Sequence, residues 1–181
     1  MSSPSTRALR INIVELLRHP GTERRVEHEI SSTELNCELA PGQCEISGMV
    51  AIDVNAISAT DDVSVTGFVS IPWSGECRRC LKAISGVHTV DFDERFAPAR
   101  NRNRIASSDG DVSIIEGDQI DLLEPIRETV MIETPVSVLC SDTCEGICDV
   151  CGTNRNEGSC DCVVVVRDER WAALDGLKID E

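Results

Sequence analysis

Through the middle of the chain, apolar residues recur at every second position. In 45–57 the apolar residues Ile46, Val50, Ile52 and Val54 keep this parity among polar ones, with Ile57 at the end. After the turn signal Asp61-Asp62, 63–71 alternates as Val63, Val65, Gly67, Val69 and Ile71, and 87–96 alternates again. Neighbouring side chains on a strand point to opposite sides, so a period of two in successive segments joined by short turns predicts an antiparallel sheet with one buried face. That sheet is the expected core. Upstream, 9–17 is a shorter apolar stretch ended by Pro20-Gly21, which reads as an edge strand entering a loop.

Beyond the sheet the pattern changes. The span 97–117 holds one Pro, an arginine run and Ser107-Ser108-Asp109-Gly110-Asp111 with little apolar content, so a flexible loop is expected. In 121–133, Leu122, Leu123, Ile126, Val130 and Met131 fall near helical spacing, with Pro125 in the first turn and Pro135 past the end. This is one helix. Trp171, Leu174 and Leu177 lie on one stripe of 168–177, which predicts a short packing helix. The expected class is therefore α+β: an antiparallel β-sheet core with a few short helices and a cysteine-rich, zinc-binding C-terminal segment. Its parts are a β core over 9–98 carrying the first cysteine pair, a loop of mixed charge over 99–117, and a helix with the cysteine-rich segment over 118–178, packed as one unit with the core.

Composition narrows the function. A chain of 181 residues with 41% hydrophobic content can bury one substantial core. Its polar first residues, and an apolar stretch interrupted by Arg10, Asn12 and Glu15, do not make a signal peptide. No stretch approaches the roughly 18 uninterrupted apolar residues of a membrane helix, so no membrane partner and a cytoplasmic location are expected. The net charge of -15, from 32 acidic and 17 basic residues, repels phosphate and attracts basic partners. Arg18, Arg24 and Arg25, then Arg78, Arg79 and Lys82, then Arg100, Arg102 and Arg104 are small basic groups that read as solvated faces. Two Trp, three Phe and no Tyr leave few platforms for stacking bases, so broad single-stranded RNA binding is not expected.

Ten cysteines in a reducing compartment point to metal rather than disulfides. Eight sit in close pairs: Cys77 with Cys80, Cys140 with Cys144, Cys148 with Cys151, and Cys160 with Cys162. A C-x2-C turn delivers two thiolates from one loop, and zinc takes four in a tetrahedron, so the expected cofactor is two Zn per chain. Compactness favours a local site of Cys148, Cys151, Cys160 and Cys162, with Gly152 taking the positive φ that aims backbone amides at sulfur. Cys77 and Cys80 would then meet Cys140 and Cys144 across a long loop, whose closure cost grows slowly with length. An interleaved partition that exchanges these partners has the same thiol count and stays open. Cys37 and Cys44 lack a close partner and read as buried thiols acting as small hydrophobes.

Three functional classes compete. A thiol-redox protein would use Cys77-Arg78-Arg79-Cys80 at a helix N-terminus, but Gly86, Val87, Thr89 and Val90 favour a strand after it. A zinc-dependent regulator that reads DNA would need a basic recognition helix, and 121–133 has one Arg among several acids. A catalytic zinc keeps a position open for water, whereas closed sets of four thiolates are structural. His19, His28 and His88 are isolated and complete no metalloprotease motif. No catalytic residue and no small-molecule substrate are expected. A structural zinc contributes on the order of 10 kcal/mol to folding, comparable with the net stability of a whole domain.

The ordered set Cys77-Arg78-Arg79-Cys80-Leu81, Gly117-Asp118-Gln119-Ile120-Asp121-Leu122, Cys144-Glu145-Gly146-Ile147-Cys148-Asp149-Val150-Cys151-Gly152, Cys160-Asp161-Cys162 and Asp168-Glu169-Arg170-Trp171 resembles the YceD family, the large ribosomal RNA subunit accumulation proteins. The resemblance runs from about Leu9 to Leu177. It departs at Asp149, where the family often has proline, and at Arg155, where an apolar residue is common. It implies a non-enzymatic role in accumulation of large-subunit ribosomal RNA, linked to a small zinc-ribbon ribosomal protein of that subunit or to another assembly factor. Ribosomal RNA would be contacted directly or through that partner. Within this reading the acidic runs offer Asp91, Asp93, Glu94, Asp118 and Asp121 as contacts for a basic client, against the plainer reading of a solvated acidic face.

Overall fold

In a computed structural model, the structure describes residues 7, 9–58, 62–98, 112–115, 117–163 and 170. The strands are β1 (Arg10–Asn12), β2 (Glu23–Ser31), β3 (Glu45–Ile46), β4 (Met49–Ser58), β5 (Val63–Glu76), β6 (Ala83–Pro98), β7 (Ser113–Ile115) and β8 (Gln119–Asp121). The helices among the described residues are α1 (Val14–Arg18), α2 (Ser32–Leu35) and α3 (Leu123–Glu133). The main sheet runs β2-β4-β5-β6-β7, with β3 pairing β5 beyond the end of β4. Every pairing is antiparallel except β6 with β7, so the sheet is mixed. A separate ladder joins β1 to β8 through Ile11 and Ile120.

Alternation decides which face is buried. Val50, Ile52, Val54 and Ala56 on β4, and Val63, Val65, Val69 and Ile71 on β5, point inward and are buried. Phe92 and Phe96 continue this face on β6. It is covered by Leu9, Ile11, Ile13 and Leu16 from the N-terminal stretch and by Ile120, Leu122, Ile126 and Val130 from β8 and α3, all in one apolar cluster. Hydrophobic burial of this kind is the main favourable contribution to folding. The opposite face of the sheet has no such cover among the described residues.

Several elements depart from the sequence reading. Only the first part of 9–17 is a strand, and it pairs with β8 rather than edging the main sheet. Asn12 Oδ1 accepts from the Val14 amide at 3.0 Å and turns the remainder into α1. The main sheet's edge is β2, whose Val26 and Ile30 face inward between the charges of Arg25, Glu27 and Glu29. Ser31 then caps α2, accepting from the Glu34 amide at 3.2 Å in the S-x-x-E pattern. The helix read from Asp121 begins at Leu123 because Asp121 belongs to β8, and its Oδ1 accepts from the Leu123 amide at 3.0 Å. Within 97–117, Ala97 and Pro98 extend β6, and 113–115 forms β7 along it, because Ile115 has a place in the main core. The helix expected over 168–177 falls, apart from Arg170, outside the described residues.

One position shows how tightly β4 and β5 approach. A Cβ on Gly67 would lie 2.1 Å from the Asp53 carbonyl oxygen and 2.6 Å from Val54 Cα. These are backbone atoms of a paired strand and cannot swing away. Gly67→Ala is therefore expected to cost about 1–3 kcal/mol by overpacking, read as a lowered midpoint in urea unfolding.

Candidate metal centre

The longest hairpin carries the first cysteines. β5 and β6 pair from Val63 with Phe96 to Glu76 with Ala83. β4 accompanies β5 only as far as Ser70, so the hairpin runs on past it and ends in the turn 77–82. There Cys77 N donates to Lys82 O at 2.8 Å and Leu81 N donates to Cys77 O at 2.9 Å. The second knuckle repeats this wiring: Cys148 N donates to Thr153 O and Gly152 N to Cys148 O, both at 2.8 Å. Each turn needs a left-handed residue after its second cysteine, and Gly152 supplies it at φ 74° as expected. Leu81 does the same at φ 59°, a conformation that L side chains rarely adopt and that no glycine announces in the sequence.

The incoming chain docks against the hairpin tip. Val138 bridges Cys77, and Arg78 N donates to Val138 O at 3.0 Å, which brings the following Cys140 to the turn. Ile147 N donates to Arg79 O at 3.0 Å, and Arg79 Nη1 donates to Cys144 O at 2.9 Å. Gly146, at φ 78°, lets this backbone pass close to Arg79.

Two groups of four thiols result: Cys77, Cys80, Cys140 and Cys144, and Cys148, Cys151, Cys160 and Cys162. Within each, all sulfur atoms lie within 4.8 Å of one another. Cys77 Sγ is 3.7 Å from Cys144 Sγ, and Cys80 Sγ is 3.6 Å from Cys140 Sγ. An ion bound tetrahedrally at ~2.3 Å sets its sulfur atoms about 3.8 Å apart, so the spacing and the all-thiol donor set fit such an ion. The interleaved partition is not the one the fold assembles. The first group is the drier: Cys77, Cys80 and Cys144 are buried and Cys140 is exposed. In the second only Cys148 is buried.

The thiols in each group do not ionise alike. The Cys80 amide draws the Cys77 thiol down to about 6, with further backbone donors at Cys140 and Arg79. The amides of Cys151 and Val150 bring Cys148 down to about 6. The remaining thiols resist ionisation: hydrogen bonding to the sulfurs of Cys144 and Cys80 pushes Cys140 up to about 12, and hydrogen bonding to Cys151 with burial does the same to Cys162, the neighbours' negative charge adding to both. A central cation is what allows all four sulfurs of a group to be thiolates together. Burial opposes ionisation of Cys144, but Asn156 Nδ2, 3.4 Å from its sulfur, tips it below the usual range. Arg155 lies near enough to Cys148 for that thiolate to raise its guanidinium above the usual range. Asn156 and Arg155 thus serve the two groups from one short loop, a role no spacing rule would have identified.

Cys37 and Cys44 join neither group, and burial pushes both thiols up. The expected acidic contacts are also separated. Asp91 and Asp93 are exposed on the uncovered face of the sheet, while Glu94 has the opposite strand parity. Asp118 is exposed just before β8. Asp121 is engaged within the fold, its Oδ2 accepting from Arg10 Nε at 2.9 Å while Oδ1 caps α3.

Comparison with known proteins adds identity to this geometry. An uncharacterised protein of Mycobacterium tuberculosis is 30% identical over 96% of this chain and 81% of its own length. An uncharacterised Mycobacterium leprae protein is 30% identical over 79% of this chain and 65% of its own. The chloroplastic large ribosomal RNA subunit accumulation protein YCED homolog 1 of Arabidopsis thaliana is 33% identical over 35% of this chain and 20% of its own. No solved structure matches. The sequence profile of the large ribosomal RNA subunit accumulation protein YceD matches residues 65–178, a span that holds both thiol groups, and the chain belongs to that family.

Proposed function

We propose that this protein is a non-enzymatic, zinc-binding cytoplasmic factor in biogenesis of the large ribosomal subunit, acting on ribosomal RNA accumulation through a basic ribosomal protein. The observation that carries the reading is the pair of four-thiol groups inside the span shared with the family. Four thiolates close the coordination sphere of zinc, leaving no position for a water nucleophile, so the metal's role is to hold the chain. Cys77, Cys80, Cys140 and Cys144 would clip the C-terminal segment to the hairpin tip, and Cys148, Cys151, Cys160 and Cys162 would shape the segment itself. The net charge of -15 favours a cationic protein over bare RNA as the direct partner.

A thiol-redox reading draws on the lowered pKa of Cys77, but that cysteine lies in a strand-to-strand turn beside three further thiols. Metal content separates the two. Native mass spectrometry should find two zinc ions per chain, one in Cys77→Ser and two in Cys37→Ser. A zinc-free, folded chain that cycles a Cys77–Cys80 disulfide would sink the assignment.

Zinc uptake at neutral pH must displace protons from the thiols held above the usual range, so loading should acidify a weakly buffered solution. The lowered thiols work in the other direction. In the metal-free groups Cys77 and Cys148 are thiolates above about 6 and protonated below it, so zinc affinity should fall as pH is lowered and fall more steeply below about 6, followed with a chromogenic chelator. In cells, loss of the protein should lower the ratio of large- to small-subunit ribosomal RNA. Wild type should restore that ratio, and Cys77→Ser/Cys80→Ser should not.

A further inference from the structure

The uncovered face of the main sheet has a feature that the zinc-binding reading leaves unused. Phe68 points outward from β5 at 53% exposure, while Phe92 and Phe96, the chain's other phenylalanines, are 3% exposed. Its neighbours on the outward positions of the same strand are Ser64, Thr66 and Ser70. The register places it in a row across four strands, Glu27–Asp53–Phe68–Asp91. Met49, 47% exposed, lines the same shallow depression of about 960 Å³.

Charge gives the face its sign. The outward positions carry Glu23, Glu27, Glu29, Asp53, Asp91 and Asp93 against two guanidinium groups, Arg25 and Arg95. Arg95 is held by Asp62 at 2.6 Å. Arg25 already shows how this surface takes a guanidinium: Asp53 grips it at 2.8 and 2.7 Å, and Glu27 adds a contact at 2.9 Å. Among the described residues, Glu29, Asp91 and Asp93 make no ion pair, and Asp91 stands directly across from Phe68.

We propose that this face, centred on Phe68, is the docking surface for an arginine-rich polypeptide segment, one of whose guanidinium groups stacks on the Phe68 ring while Asp91 and Asp93 take its charge. This rests on the reading that the protein acts through a basic protein. A guanidinium suits an exposed ring flanked by carboxylates because it is planar, weakly hydrated and able to stack and pair at once. RNA would bring phosphates against unpaired carboxylates, and a second copy of the chain would bring the same acidic surface to itself.

The test uses the zinc-loaded full chain and a labelled arginine-rich peptide, with its lysine-substituted twin, followed by fluorescence anisotropy at several salt concentrations. Phe68→Ser should weaken the arginine peptide on the order of tenfold and erase its preference over the lysine twin. Asp91→Asn/Asp93→Asn should weaken binding and flatten its salt dependence. Glu15→Gln/Glu128→Gln, which removes two exposed charges from helices away from this face, should change affinity less than twofold. All three substituted positions on the sheet are exposed, so unchanged melting temperatures are expected. Equal loss in the remote double variant, or no loss in Phe68→Ser, would overturn the proposal. So would a dimer that Phe68→Ser disperses in sedimentation, or a large-subunit ribosomal RNA fragment whose binding depends on Phe68. If Phe68→Ser fully restores large-subunit RNA in cells that lack the protein, the docking surface falls while the biogenesis role stands. If loss of the protein leaves that RNA unchanged but Phe68→Ser still abolishes peptide binding, the reverse holds.

Discussion

Everything at the far end of the β5–β6 hairpin depends on four sulfur atoms drawn from two distant stretches of chain. Cys77 and Cys80 come from the hairpin turn, and Cys140 and Cys144 from a segment with almost no regular secondary structure. That segment has little apolar surface to bury: Val136, Leu139 and Val150 are all exposed, and among the described residues Ile84 and Ile147 are the apolar side chains that pack around the buried thiols. Hydrophobic burial therefore holds the sheet, while at the tip the organising constraint is the mutual approach of groups that repel one another once ionised. The two regions of the molecule are stabilised by different physics.

The parts of the fold legible in the sequence are those where one periodicity runs uninterrupted. Val63, Val65, Val69 and Ile71 alternate cleanly, and the buried face of β5 could be read from them directly. The strand β2 was hidden because an edge strand needs few apolar residues, and charges that discourage pairing with another chain blur the alternation. In 9–17 a short strand and a short helix follow one another, and no single period describes both. β8 was hidden in the approach to α3, since Asp121 is at once the last residue of a strand and the acceptor that starts the helix.

The thiol site was more legible than the fold around it. Pair spacing identified the thiols that the fold gathers in fours, because two thiols meant for one ion need a fixed separation on one turn, whatever the rest of the chain does. The supporting residues were not legible. Nothing marks Leu81 as left-handed, and Asn156 reaches Cys144 only because the loop after Cys151 folds back through Arg155 N and Gly146 O, 2.9 Å apart. Such roles are set by three-dimensional return of the chain, which leaves no local pattern.

The sequence separation within the first thiol group has a consequence in time. Cys80 and Cys140 are 60 positions apart. At a synthesis rate of about 5–20 residues per second, the hairpin turn waits several seconds in the nascent chain before its partner thiols have been made. The first group of four thiols can thus assemble only after Cys144 has emerged, whereas the hairpin itself can pair as soon as β6 does. Assembly of that first group reports that synthesis has passed the segment that docks on the hairpin tip.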